Sequence, residues 1–225
     1  MNTRIENRPV FTTLTVTLDA GESFRAEGGA MVSMSTTVEL QSKATSKGFG
    51  GLLKSAVGGE GLFASEFTAS GGPGEVVLAP PTPGDIIEFN LAGQTLFAQS
   101  GAYLAGTNGL ELGTKGSLKS MLSGEGIFLQ TISGTGTVWL SCYGSVYERT
   151  LAPGEAYTVD TGHMLAFEET MSYTVKKAAK GLFSTFASGE GLVARFEGPG
   201  TLYIQSRNLS GFAALLSKLL PSDNK

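Results

Sequence analysis

Gly124-Glu125-Gly126-Ile127-Phe128-Leu129-Gln130-Thr131-Ile132-Ser133-Gly134-Thr135-Gly136-Thr137-Val138-Trp139-Leu140-Ser141 reads as a glycine turn, a β-rich run, a Gly-x-Gly turn and a second β-rich run. The same order occurs twice more. Gly-Glu-Gly stands at Gly59-Glu60-Gly61, Gly124-Glu125-Gly126 and Gly189-Glu190-Gly191, 65 residues apart each time (124 − 59 and 189 − 124). The Gly-x-Gly turns are Gly72-Pro73-Gly74, Gly134-Thr135-Gly136 and Gly198-Pro199-Gly200. Similarity at a fixed period marks supersecondary units that bury their apolar faces against one another. The runs 62–70, 127–133 and 192–197 stand one short turn before 75–79, 137–141 and 201–205, which predicts a hairpin in each copy.

A further pair of glycines precedes each copy, Gly21 and Gly29, Gly93 and Gly101, Gly154 and Gly162, and encloses the strand-like segments 22–26, 94–98 and 155–159. Thr13-Leu14-Thr15-Val16-Thr17-Leu18 alternates polar with aliphatic residues, as a strand with one wet face does. Only the tail has helical spacing: Phe212, Leu215, Leu216, Leu219 and Leu220 form one stripe that Pro221 ends. The expected fold is all-β, a threefold internal repeat of antiparallel units with a short C-terminal helix. It is read as one compact domain with repeats over 11–91, 92–152 and 153–210 and a helix and tail over 211–225.

Thirty-two glycines among 225 residues, with 41% hydrophobic and 16% charged residues, suit a globular chain of short strands and tight turns. A net charge of −4 gives no electrostatic footprint for nucleic acid or an anionic membrane over the chain as a whole. The one cysteine, Cys142, lies in an apolar run and is expected to be a buried thiol, so no intrachain disulfide forms. The first residues lack an apolar signal core, and no stretch reaches a membrane-spanning length, so a cytoplasmic location is expected.

Catalytic constellations are not marked. One histidine, His163, cannot supply the His-rich set of a mononuclear metal site, and it follows Gly162 where the other copies carry Ala30 and Ala102. No Walker or dinucleotide-binding glycine pattern occurs. We therefore expect no enzyme, cofactor or metal. Glu60, Glu125 and Glu190 have two readings, a cation site around a pseudo-threefold axis or caps on neighbouring N–H groups. Before each Gly-Glu-Gly lies an unusually apolar loop carrying Leu52-Leu53, Met121-Leu122 or Leu182-Phe183. These side chains either tuck over the open end of a β unit or contact another subunit, a partner or a bilayer. Lys176, Lys177 and Lys180 are the one basic cluster, weak ground for RNA binding without aromatic platforms.

The runs Glu27-Gly28-Gly29-Ala30-Met31-Val32-Ser33-Met34, Gly59-Glu60-Gly61-Leu62-Phe63, 77–86 and 99–105 resemble the altered-inheritance-of-mitochondria family over nearly the whole chain. That resemblance implies a β fold related to the tryptophan RNA-binding attenuation protein, built of repeats and assembled as a homo-oligomer. Eukaryotic relatives are associated with the mitochondrial inner membrane. The first residues do not read as an Arg-rich presequence, so that location is not expected to transfer. The expected role is a non-enzymatic, oligomeric scaffold or interaction protein, contacting a protein or membrane through the apolar loops. The alternative is an RNA- or small-ligand-binding module.

Overall fold

The alternating run Thr13–Leu18 forms β2, with Leu14, Val16 and Leu18 fully buried. An N-terminal strand, β1 (Asn2–Glu6), pairs along it antiparallel from Asn2↔Thr17 to Glu6↔Thr13. The computed structural model describes residues 1–44, 63–115, 129–177 and 192–220.

β3 (Ser23–Glu27), β4 (Met31–Met34), β5 (Glu39–Ala44), β6 (Phe63–Thr68) and β7 (Gly74–Leu78) complete the first set of strands. β7 lies between β2 and β4, and β6 between β3 and β5. Leu14, Val16, Leu18, Val76 and Leu78 from one small sheet meet Phe24, Ala26 and Phe67 from the other in a single apolar cluster. Phe24 and Phe67 are paired across their strands, with ring centroids 5.2 Å apart.

The second set is β8 (Ile86–Ala92), β9 (Leu96–Gln99), β10 (Tyr103–Gly106), β11 (Leu110–Lys115) and β12 (Leu129–Ser141). The second half of β12 lies between β8 and β10, and its first half between β9 and β11. The third set is β13 (Val146–Leu151), β14 (Ala156–Asp160), β15 (Met164–Glu168), β16 (Ser172–Lys177), β17 (Leu192–Glu197) and β18 (Gly200–Gln205). Here β18 lies between β13 and β15, and β17 between β14 and β16. The three sets share one pairing scheme.

That scheme corrects the expected hairpins. β6 pairs with β3 and β5 and never with β7, and β17 and β18 likewise keep to separate partners. Both edges of each strand are already occupied, so the Gly-x-Gly segment carries the chain across to the facing sheet. In the second set the two runs are one 13-residue strand. Gly134 and Gly136, at φ 104° and 147°, mark the crossing within β12, in backbone conformations that favour glycine.

Neighbouring sets join edge to edge. β3 pairs with β10 (Ala105↔Ala26, Gly106↔Arg25), and β9 with β15 (Ala166↔Ala98, Phe167↔Phe97, Glu168↔Leu96). These ladders merge parts of all three sets into an eleven-stranded sheet beside a four-stranded and a three-stranded one. The core follows the same joins: Leu104, Ala105 and Trp139 of the second set pack in the first cluster, and Leu165 and Ala166 of the third pack in the second.

The helical spacing of the tail is realised as α1 (Leu209–Leu219), starting two residues before the expected 211. Asn208 explains the earlier start, because its side-chain oxygen accepts from the Gly211 N–H at 3.2 Å and caps the first turn.

Candidate functional site

Most sequence-nominated residues lie outside the described residues: Leu52, Leu53, Glu60, Met121, Leu122, Glu125, Lys180, Leu182, Phe183 and Glu190. The segments that carry them join β5 to β6, β11 to β12 and β16 to β17, beyond the end pairs Ala44↔Phe63, Lys115↔Leu129 and Lys177↔Leu192. Lys176 and Lys177 end β16, opposite Val193 and Leu192, and Lys176 is exposed.

The two residues with the most chemical potential are tied into the scaffold. His163 sits in the turn between β14 and β15, where its Nδ1 donates to the Gln205 carbonyl at 2.9 Å. Cys142 is 2% exposed, as expected of a buried thiol, and its Sγ donates to the Gly144 carbonyl at 3.1 Å and accepts from the Asp85 N–H at 3.3 Å. Burial pushes the thiol up to about 11, which leaves it protonated and unreactive at neutral pH. Among the described residues, no group of three or more His, Cys, Asp or Glu side chains could hold a metal ion. Among the same residues, no helix is long and apolar enough to cross a membrane.

Beside Cys142 lies a polar junction that sequence reading did not single out. Arg8 clamps Asp85 through Nε–Oδ1 and Nη2–Oδ2 contacts, both 2.9 Å, while the Thr12 hydroxyl (3.2 Å) and the Ile86 N–H (2.8 Å) donate to Oδ1. Burial raises the Asp85 carboxyl, but Arg8, Ile86 and Thr12 together outweigh it and hold it below the ordinary aspartate value. A Cβ on Gly84 would overlap the Cys142 carbonyl, so the approach of the two chain segments depends on that glycine. The junction pins the segment before β2 to the start of β8. With Asp85 accepting from Arg8, Thr12 and the Ile86 N–H, its role is to position strands. Arg8 and Asp85 are 77 residues apart, and only Gly84-Asp85 belonged to a recognisable motif.

What remains open is surface. β4 is exposed throughout, with Met31 38%, Val32 59% and Met34 38% accessible. Its counterparts β10 and β15 are buried along almost their whole length. α1 contributes no buried residue, and Leu209, Phe212, Leu215, Leu216 and Leu219 are all exposed. Among the described residues its aromatic contact is Phe212 with Tyr143, at 6.0 Å between ring centroids.

A family model described as mitochondrial biogenesis AIM24 matches residues 3–207. The chain belongs to the AIM24 family. The AIM24 match starts within β1 and stops just before Asn208, so the three strand sets lie inside it and α1 lies beyond it. An uncharacterized protein of Streptococcus pyogenes serotype M6 is 32% identical over 233 residues, spanning 100% of this chain and 93% of that one. The crystal structure of a Streptococcus pyogenes protein superposes with a TM-score of 0.81 at 30% identity, over 97% of this chain and 99% of that one. The AIM24 fold is therefore shown by sequence and by architecture, and the resemblance read from the glycine motifs holds.

Proposed function

We propose that this AIM24-family protein is a non-enzymatic, self-associating scaffold of the cytoplasm, made of three β repeats and docking on a membrane surface through apolar side chains it leaves uncovered. The observation that carries this reading is α1, an amphipathic helix with an apolar stripe of Phe212, Leu215, Leu216 and Leu219 and no residue buried against the body. A helix with such a stripe covers it on an apolar surface or an interface. Lys218 in its last turn adds a cation beside that stripe, suited to anionic headgroups. The loops carrying Leu52-Leu53, Met121-Leu122 and Leu182-Phe183 belong to the same proposal as further apolar contacts.

The test is flotation with vesicles of pure phosphatidylcholine and of phosphatidylcholine with phosphatidylglycerol. Wild type is expected to float with the anionic vesicles, and a Leu215→Ser/Leu216→Ser variant to stay at the bottom. Wild type that ignores both vesicles, or a variant that floats equally well, overturns docking through α1. The alternative, an RNA- or small-ligand-binding module, is favoured by exposed Lys176 at the end of β16. It predicts RNA binding that weakens with salt and on Lys176→Ala/Lys177→Ala.

A further inference from the structure

Phe11 stands at one end of a row that the three sets build alike. It lies two residues before β2, as Gly84 lies two before β8 and Gly144 two before β13 (13 − 11, 86 − 84, 146 − 144). Parallel bridges join Phe11 to Gly84 and Gly84 to Gly144. The chain leaving β18 extends the same row, since the Ser206 and Arg207 N–H groups donate to the Ser145 and Tyr143 carbonyls at 2.8 and 3.2 Å. α1 therefore departs from the body beside the Gly144 segment, where Phe212 meets Tyr143.

The scaffold needs no side chain at position 11, because the two equivalent positions are glycines. Phe11 is nevertheless 73% accessible, level with Leu219 as the most exposed large apolar side chain among the described residues, and Val10 beside it is 44% accessible. Asp85 holds both ends of this tip. Arg8 donates to its carboxylate at 2.9 Å and the Thr12 hydroxyl at 3.2 Å, with Pro9, Val10 and Phe11 between them. The Thr12 N–H also donates to the Gly84 carbonyl at 3.3 Å. The Phe11 ring is thus displayed on a turn stapled at both ends.

Charge decides what covers it. The four segments of the row, 7–12, 79–84, 142–147 and 206–220, contain none of the chain's twenty Asp and Glu residues. They carry three cations, Arg8, Arg207 and Lys218. Arg8 is matched by Asp85, while Arg207 and Lys218 are exposed. On a chain of net charge −4, an acid-free edge that shows apolar side chains between cations complements an anionic bilayer.

We propose that Val10 and Phe11 form a second membrane anchor, with the Phe11 ring seated at the acyl boundary of an anionic bilayer while α1 lies on the same surface. Two strand spacings of about 4.8 Å set the Phe11 backbone roughly 10 Å from that of Gly144, so tip and helix reach one surface together. This inference rests on the membrane reading of α1 and extends it to a second element.

The experiment measures partition onto vesicles of phosphatidylcholine with phosphatidylglycerol. Phe11→Ser alters an exposed position and is expected to leave the thermal melt in place. It is expected to bind about tenfold more weakly than wild type, the loss of one interfacial aromatic. Phe11→Trp is mixed with the same vesicles carrying brominated acyl chains, and its added indole is expected to be quenched. Wild type is the control, because its Trp139 is 1% exposed and stays bright. Quenching is read on bound protein, so it reports insertion whatever the assembly. Phe11→Ser that binds as wild type does, or bound Phe11→Trp quenched no more than wild type, overturns the second anchor. The reading of α1 then stands if Leu215→Ser/Leu216→Ser has lost binding. Loss in Phe11→Ser with none in Leu215→Ser/Leu216→Ser supports the tip and overturns docking through α1. Wild type that ignores the vesicles overturns both.

Discussion

Phe97 on β9 and Phe167 on β15 are directly paired across the join between the second and third strand sets, with ring centroids 5.1 Å apart. Phe167 is fully buried and meets Phe196 edge-on at 5.0 Å and Tyr173 at 5.2 Å, so it anchors the third core and the join at once. Phe97 is only half-buried, with the Lys115 ammonium 4.2 Å from its ring centroid. Phe167→Ala is expected to cost about 3–5 kcal/mol, the range for emptying a buried aromatic position. Phe97→Ala is expected to cost clearly less, because water already reaches that ring. Urea denaturation measures both, and equal losses would show that Phe167 is no anchor.

Asp85 gives the fold an acid-sensitive joint. Its folded value lies below its ordinary 3.8. A depressed carboxyl contributes stability that is present above the ordinary value and is lost as pH falls through the lower, folded one. Asp85→Asn is therefore expected to lower Tm at neutral pH, and the gap from wild type to narrow below about pH 4 as the wild-type carboxylate takes up its proton. Tm followed from pH 7 downward checks this. A gap that stays constant far into the acid range would mean that the charge on Asp85 contributes nothing.

Much of this architecture was legible because turn chemistry and alternation are local. The run Thr13–Leu18 is β2, the segments 155–159 and 201–205 overlap β14 and β18, and the stripe from Phe212 to Leu219 lies on α1. The partner of each strand was not legible. Gly72-Pro73-Gly74 has the composition of a hairpin turn, yet it carries the chain between facing sheets, because β6 and β7 find partners elsewhere in the set. The bulged strands β4, β10 and β15 give little periodic signal, since a shift in register breaks the alternation that marks a strand. The Arg8–Asp85 clamp joins residues that nothing in sequence brings together. The polar and apolar loop residues nominated from sequence fall mostly outside the described residues.

Cys142 provides a direct readout of local opening. Its thiol is buried, hydrogen-bonded and pushed up to about 11, so little thiolate exists at pH 7 to 8. Labelling by a thiol-specific reagent is expected to be negligible in the folded protein and complete once denaturant unfolds it. Gly84→Ala should open the site, because a Cβ there meets the Cys142 backbone, which cannot turn aside as a side chain could. The expected loss is about 1–3 kcal/mol, with faster labelling of Cys142. Rapid labelling of folded wild type would contradict the burial.

Asn208 holds α1 in place where packing does not. The helix has 11 residues and none is buried, and a helix this short is marginal in water without tertiary support. Its stability therefore rests on local terms, chiefly the cap from Asn208 to the Gly211 N–H and the contact of Phe212 with Tyr143. Asn208→Ala is expected to cost the helix about 1 kcal/mol, which corresponds to roughly fivefold faster amide exchange from Phe212 to Leu220. Because α1 buries nothing, the thermal midpoint of the β body should stay where it is. Gly162→Ala is expected to act in the same way from the other side, since a Cβ there would overlap the Asn208 amide and push it off the helix terminus. Hydrogen exchange alongside a thermal melt separates the two levels. A shift of the global midpoint with unchanged exchange in α1 would show that Asn208 braces the sheet and not the helix.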